Sequence, residues 1–244
     1  MGEAPTLYRV LRFLLTPLIR LLFPAHVEGP ENVPRTGPAI LCANHVSFLD
    51  PVIVAIVVPR PVFYLGKSEY FAPRWRWFFE RVGVMPVARH GGAAGETSLE
   101  RGRQVLEAGS LLGIYPEGTR SPDGRLYRGK TGAVRLAIRT GAAVIPIGMT
   151  GTRELMPPGT LIPHPGRVAV RFGQPLDFSD LRESVNDRVA LRTATDALMA
   201  RIGDLSGQVY ADVYAAQARA AQAQRDGRSD PDDGSVALDK RRSA

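Results

Sequence analysis

The 244-residue sequence holds a single cysteine, Cys42, so no intrachain disulfide can staple the fold, and a reducing compartment suits it. Histidine is almost as scarce. His26, His45, His90 and His164 fall in no H-x3-H or C-x2-C pattern, so no metal site is expected. No G-x-S-x-G elbow is present to expose a serine nucleophile, and Cys42 lies in an apolar run where cysteine ordinarily packs rather than reacts. No internal repeat is present. A long uninterrupted apolar run is missing too. Residues 7–23 (LYRVLRFLLTPLIRLLF) come nearest, but Arg9, Arg12, Pro17 and Arg20 break them. A bilayer crossing needs about 20 mostly apolar residues, whereas arginines on an otherwise apolar helix suit one lying at headgroup depth. Packing on the protein's own core is the competing reading. A signal peptide fits less well, because the arginines are spread along the segment and no A-x-A-like site follows.

What is present describes an ordinary globular chain with 44% apolar and 23% charged residues, long enough for one domain with appendages. The net charge is +7, and from Ala211 onward six Lys/Arg cancel six Asp, so the whole excess lies in the first 210 residues. That body favours anionic partners: phosphate-bearing substrates, acidic lipids or nucleic acid.

Short apolar runs at 39–43, 62–65, 84–87, 111–115, 143–147 and 168–172 read as strands. Helical patterns at 98–108, 131–140 and 185–202 alternate with them, and residues 51–58 form a further helix candidate with Asp50 as its N-cap and Pro51 at its first position. Residues 27–35 carry turn signals. The alternation predicts an α/β fold, a mixed sheet flanked by helices. Three segments follow: an amphipathic, membrane-associating residues 1–26, a single domain over 27–208, and a tail over 209–244. From about Gln217 the tail has too few apolar residues to offset ordering entropy, so disorder is expected there.

Two segments carry chemistry, each at the end of an expected strand, where open α/β sheets place ligand-binding groups. The first is Asn44-His45-Val46-Ser47-Phe48-Leu49-Asp50. Histidine serves as a general base near neutral pH, and a carboxylate on its other ring nitrogen fixes the tautomer. Five residues apart on one helix, His45 and Asp50 would point about 140° apart, so they meet only if the chain turns between them. Otherwise His45 is a turn residue and Asp50 a helix cap. The second segment, Tyr115-Pro116-Glu117-Gly118-Thr119-Arg120-Ser121, combines glycine, hydroxyl and guanidinium as a phosphate site would, or is a plain loop with a solvated arginine.

Together these segments resemble the glycerolipid acyltransferase family of 1-acylglycerol-3-phosphate acyltransferase type. Its N-H-x-x-x-x-D motif is matched by Asn44, His45 and Asp50, and its F-P-E-G-T-R-S motif by residues 115–121 with Tyr115 in place of phenylalanine. An apolar V-I-P-I stretch follows at Val144-Ile145-Pro146-Ile147, and residues 83–89 (GVMPVAR) meet a G-x-x-x-x-x-R motif loosely, with Ala88 where an acid is usual. The resemblance spans about residues 27–174. It implies a single acyltransferase domain in which His45 deprotonates the acceptor hydroxyl, Asp50 orients His45, and the hydroxyl attacks an acyl thioester directly. It further implies substrate-binding roles for Glu117, Gly118, Thr119 and Arg120 at the acceptor phosphate, with Lys67 and Arg89 as further basic groups. The implied acceptor is lysophosphatidic acid, or another lysolipid or glycolipid. The donor is acyl-CoA or acyl-carrier protein, no cofactor is expected, and the location is the cytoplasmic face of the cell membrane, peripheral or monotopic.

Two features pull toward other classes. Residues 124–131 satisfy G-x-x-x-x-G-K-[ST], but a phosphate-binding P-loop follows a buried strand and this segment follows a turn, which leaves Lys130 as a charge near the acceptor pocket or a helix-start residue. Eight of the eighteen aromatics fall within residues 63–79, interleaved with Lys67, Arg74 and Arg76. Such mixing suits a membrane interface, and by stacking also single-stranded nucleic acid. Core plus membrane contact is the favoured reading, and no nucleic-acid partner is expected. A non-catalytic lipid- or nucleic-acid-binding relative is the remaining alternative.

Overall fold

A computed structural model describes residues 5–67, 73–87, 92–157, 160 and 162–225. Its sheet has seven strands: β1 (Ala25–Glu28), β2 (Ala39–Ala43), β3 (Val62–Lys67), β4 (Val84–Val87), β5 (Leu111–Ile114), β7 (Ala143–Thr150) and β8 (Val168–Phe172). A separate pair joins β6 (Leu126–Tyr127) to β9 (Tyr210–Ala211). The order across the large sheet is β1-β8-β7-β2-β5-β3-β4, parallel throughout except where β7 meets β8, so the sheet is mixed as expected. The helices are α1 (Thr6–Leu22), α2 (Asp50–Val57), α3 (Pro73–Arg81), α4 (Gly92–Glu107), α5 (Gly132–Thr140), α6 (Thr152–Leu155), α7 (Arg188–Ser206) and α8 (Ala215–Arg225).

The two-residue period of β2 shows why its whole run is apolar. Ile40 and Cys42 join a core beneath α4, α5 and α7, while Ala39, Leu41 and Ala43 join a second core beneath α2 and the end of α1. A strand covered on both faces has no position to spare for a polar residue. Cys42 is fully buried, and burial pushes its thiol well above the ordinary range, as fits a packing role.

Several elements depart from the sequence reading. β1 forms at residues the sequence reading divided between the N-terminal segment (1–26) and the turn stretch (27–35), because its four residues pair in parallel with β8, a long-range contact that local composition does not report. Residues 73–81 form α3, and Trp77 on it is more than half exposed. The tail is structured as far as Arg225, where disorder was expected from about Gln217. β9 pairs with β6, and α8 opens on Ala215, which packs with Tyr127 and Ala211 in a small core of its own.

Helix α1 packs on the domain through a few residues only. Tyr8 is buried, with its hydroxyl accepting from the Val62 N–H at 3.3 Å, and Arg12 donates to the Val58 carbonyl. At about 100° per residue, Val10, Phe13, Leu14 and Leu21 fall on the side opposite Tyr8, and all four are exposed, Phe13 by 80% and Leu21 by 77%; Leu15 and Leu18, nearer the Tyr8 side, are exposed as well. No helix among the described residues is long and apolar enough to cross a membrane.

Candidate active site

Strands β2, β5 and β3 run parallel as neighbours, so their C-terminal ends share one edge of the sheet. Past the end of β2, Asn44 continues the ladder with its side chain. Its Oδ1 accepts from the Met149 N–H at 2.8 Å, and its Nδ2 donates to the Met149 carbonyl at 2.9 Å and to Gln208 Oε1 at 2.7 Å. The main chain is thereby free to turn away.

It turns around a carboxylate. Asp50 is fully buried, and its Oδ2 accepts from Val46 N–H and Ser47 N–H at 2.8 Å each and meets His45 Nδ1 at 2.8 Å. Its Oδ1 accepts the Thr152 hydroxyl at 2.6 Å. Asp50 therefore does not cap α2, as the sequence suggested; Leu49 occupies that position, and the carboxylate folds back to gather the preceding loop. An ionised carboxylate only accepts, so Nδ1 carries the ring proton and the lone pair lies on Nε2. The Nε2 atom has no partner among the described residues, and the His45 side chain keeps 18% of its surface open to solvent.

The second segment grips the first through the His45 peptide. His45 N–H donates to Glu117 Oε1 at 2.9 Å, and the His45 carbonyl accepts from Ser121 N–H at 2.7 Å. Glu117 Oε2 accepts from Tyr127 N–H at 2.9 Å. Burial pushes the Glu117 carboxyl up to about 8, opposed by those two N–H donors. Glu117 was expected among the substrate-binding residues, but it is 1% exposed and both its oxygens are occupied by backbone, so it ties loops together instead. The Tyr115 ring stacks on the His45 imidazole at 4.0 Å between centroids, and Tyr64 stacks behind Tyr115 at 6.1 Å. Burial raises both phenols well above the ordinary range, so both hydroxyls stay protonated.

Gly118 turns the chain at φ 73°, and the Lys130 side chain lies across it so closely that a Cβ would come within 2.9 Å of Nζ. Lys130 N–H donates to the Pro116 carbonyl at 2.8 Å. Lys130 belongs to this turn rather than to a P-loop, because the segment before it comprises β6 outside the main sheet. Thr119 is buried, and Arg120 is half-buried with no ion pair to its guanidinium among the described residues. Behind the turn, Arg153 donates to the Ser121 and Pro122 carbonyls and Arg219 of α8 to the Arg120 carbonyl. Lys67 ends β3 in register with Val87, which puts its backbone at the same sheet edge; its side chain and all of Arg89 lie outside the described residues. No cluster of three His, Cys, Asp or Glu able to hold a metal is found among the described residues.

Sequence reasoning named Asn44 and Tyr115 as motif residues without giving either a role, and it missed Tyr64, Thr152 and Gln208 as parts of this site.

A carboxylate-oriented imidazole open at Nε2 thus stands at a strand edge beside a turn that bears an arginine, an arrangement able to serve general-base chemistry. A family model described as Acyltransferase matches residues 24–150, and the chain belongs to that family. It is 35% identical over 158 residues to the chloroplastic 1-acyl-sn-glycerol-3-phosphate acyltransferase LPAT1 of Arabidopsis thaliana, covering 63% of this chain and 44% of that relative. The match thus spans less than half the length of that plant enzyme. A 1-acyl-sn-glycerol-3-phosphate acyltransferase of Bacillus subtilis is 26% identical over 206 residues, 83% of this chain and 98% of the relative. The crystal structure of the 1-acyl-sn-glycerophosphate (LPA) acyltransferase PlsC from Thermotoga maritima superposes with a TM-score of 0.55 at 27% identity, over 79% of this chain and 83% of the other.

Proposed function

We propose that the protein transfers a fatty acyl group from an acyl thioester to the free hydroxyl of lysophosphatidic acid, giving phosphatidic acid. The observation that carries this reading is the His45–Asp50 pair, with Nε2 open beside the turn that holds Arg120. His45 Nε2 takes the acceptor's hydroxyl proton as its oxygen attacks the thioester carbonyl. The new C–O bond forms, the C–S bond breaks, and the imidazolium returns its proton to the departing thiolate. Asp50 stabilises the imidazolium between those steps. Arg120, with Gly118 and Thr119, receives the acceptor's phosphate, and Lys67 and Arg89 add positive charge. No acyl-enzyme and no cofactor enter this sequence.

The exposed apolar side of α1, with Trp77 on the neighbouring α3, supports attachment to one leaflet, peripheral or monotopic. Acyl-CoA and acyl-carrier protein are cytoplasmic thioesters, so the working surface is the cytoplasmic face of the cell membrane. The purified protein tested on lysophosphatidic acid, glycerol 3-phosphate and other lysolipids, with each donor, decides the reading. Transfer to lysophosphatidic acid above the others supports it. Equal transfer to acceptors lacking phosphate, unaffected by Arg120→Ala, would assign another lysolipid or glycolipid instead.

A further inference from the structure

We infer that Thr152 is a positioning residue of the reaction: its hydroxyl locks the Asp50 carboxylate in the plane that orients and supports His45. The inference rests on the acyl-transfer reading above. The two oxygens of Asp50 carry different tasks. Oδ2 faces His45 Nδ1 and two backbone N–H groups, all at 2.8 Å, whereas the bond to Oδ1 comes from Thr152 at 2.6 Å, 102 residues away in the chain. A carboxylate held at one oxygen only can swing about its terminal torsion, which is broad and soft. Fixing the second oxygen removes that freedom. Both partners are fully buried, so no solvent molecule at the surface can stand in for the hydroxyl without opening the core.

The fold goes to some length to deliver this hydroxyl. Strand β7 ends at Thr150, and Gly151 follows with φ 89°, in the left-handed region that suits glycine. A Cβ there would lie 2.5 Å from the Arg167 carbonyl oxygen, so both the conformation and the contact demand glycine. The turn drops Thr152 beneath the His45 loop. The same segment returns to that loop at Met156, whose carbonyl accepts the Ser47 hydroxyl at 3.0 Å. With both oxygens bonded, the Asp50 carboxylate stays aligned with His45 when the ring becomes an imidazolium.

Valine matches threonine in shape and lacks the donor; serine keeps the donor. With wild-type acyl transfer first established, Thr152→Val is expected to lower kcat by about tenfold to a hundredfold with KM for both substrates within about twofold. Thr152→Ser should recover most of the lost rate. In an Asp50→Asn background the same Thr152→Val change should cost little more, because the two residues act through one bond. Full activity in Thr152→Val, a loss lying in KM, or a serine variant as slow as the valine one overturns the inference. So does failure of both Thr152→Val and Thr152→Ala to fold while Thr152→Ser folds and works, which would assign the hydroxyl to stability. A wild-type protein with no acyl transfer at all sinks the functional reading itself, a result distinct from each of these.

Discussion

Asp50 and Glu117 are two buried carboxyls less than a loop apart, and their surroundings assign them opposite work. Asp50 gathers four partners, one of them a histidine ring nitrogen, so its carboxylate is used in the site. Glu117 faces backbone only, and burial dominates, pushing it up to about 8 from an ordinary 4.5. A carboxyl whose folded value is raised supports the fold fully below its unfolded value and loses that support as pH rises toward the folded one. Thermal stability should therefore drift downward from about pH 4.5 to about pH 8 through this group. Glu117→Gln should flatten the drift, at a cost of about 1–3 kcal/mol for the N–H left facing an amide. Melting midpoints of the two proteins across that pH range check it, and parallel slopes would count against the assignment. Glu117 was legible in the sequence as a motif residue but not in its role, because a motif reports identity and spacing while burial comes from strands that the motif does not contain.

At the scale of elements, alternation was legible where a strand is covered on both faces, as β2 is, because every residue there must be apolar. Where an element owes its form to a distant partner, as β1 does to β8 and β9 to β6, nothing local announces it. The start of α7 shows the opposite case, a purely local signal. Asp187 accepts from Val189 and Ala190 N–H at 2.8 and 3.2 Å. Asp187→Ala should cost about 1 kcal/mol in denaturant unfolding with kcat unchanged. For α1 the sequence left membrane contact and core packing as rivals; the helix packs on the domain through Tyr8 and Arg12 and leaves Phe13, Leu14 and Leu21 exposed. Replacing Phe13, Leu14 and Leu21 together by serine leaves the packed side intact. Since burying each such side chain is worth about 1.5–3 kcal/mol, sedimentation with acidic phospholipid vesicles should fall at least about tenfold. Unchanged sedimentation would remove α1 from the membrane account.

Across the whole molecule, the site is assembled from segments that only the completed sheet brings together: the loop after β2, the turn after β5, and Thr152 after β7. The segment after α7 completes it, with Gln208 bonding Asn44 and the Gly124 carbonyl, and Arg219 bonding the Arg120 carbonyl. Truncation after residue 208 should then lower acyl transfer as well as stability, although the motifs remain intact; an unimpaired truncated enzyme would show that β9 and α8 are accessory. The sequence revealed the His45–Asp50 pair through its motif and its place at a strand end. It could not reveal that the two side chains touch, because that contact depends on Val46 and Ser47 wrapping Asp50. The central claim is that the open His45 Nε2 is the base. Its most direct test is the rate of radiolabelled acyl transfer to lysophosphatidic acid by His45→Ala, purified and folded. The account predicts loss of transfer to background with vesicle binding unchanged, and a variant that keeps most of the wild-type rate would contradict it.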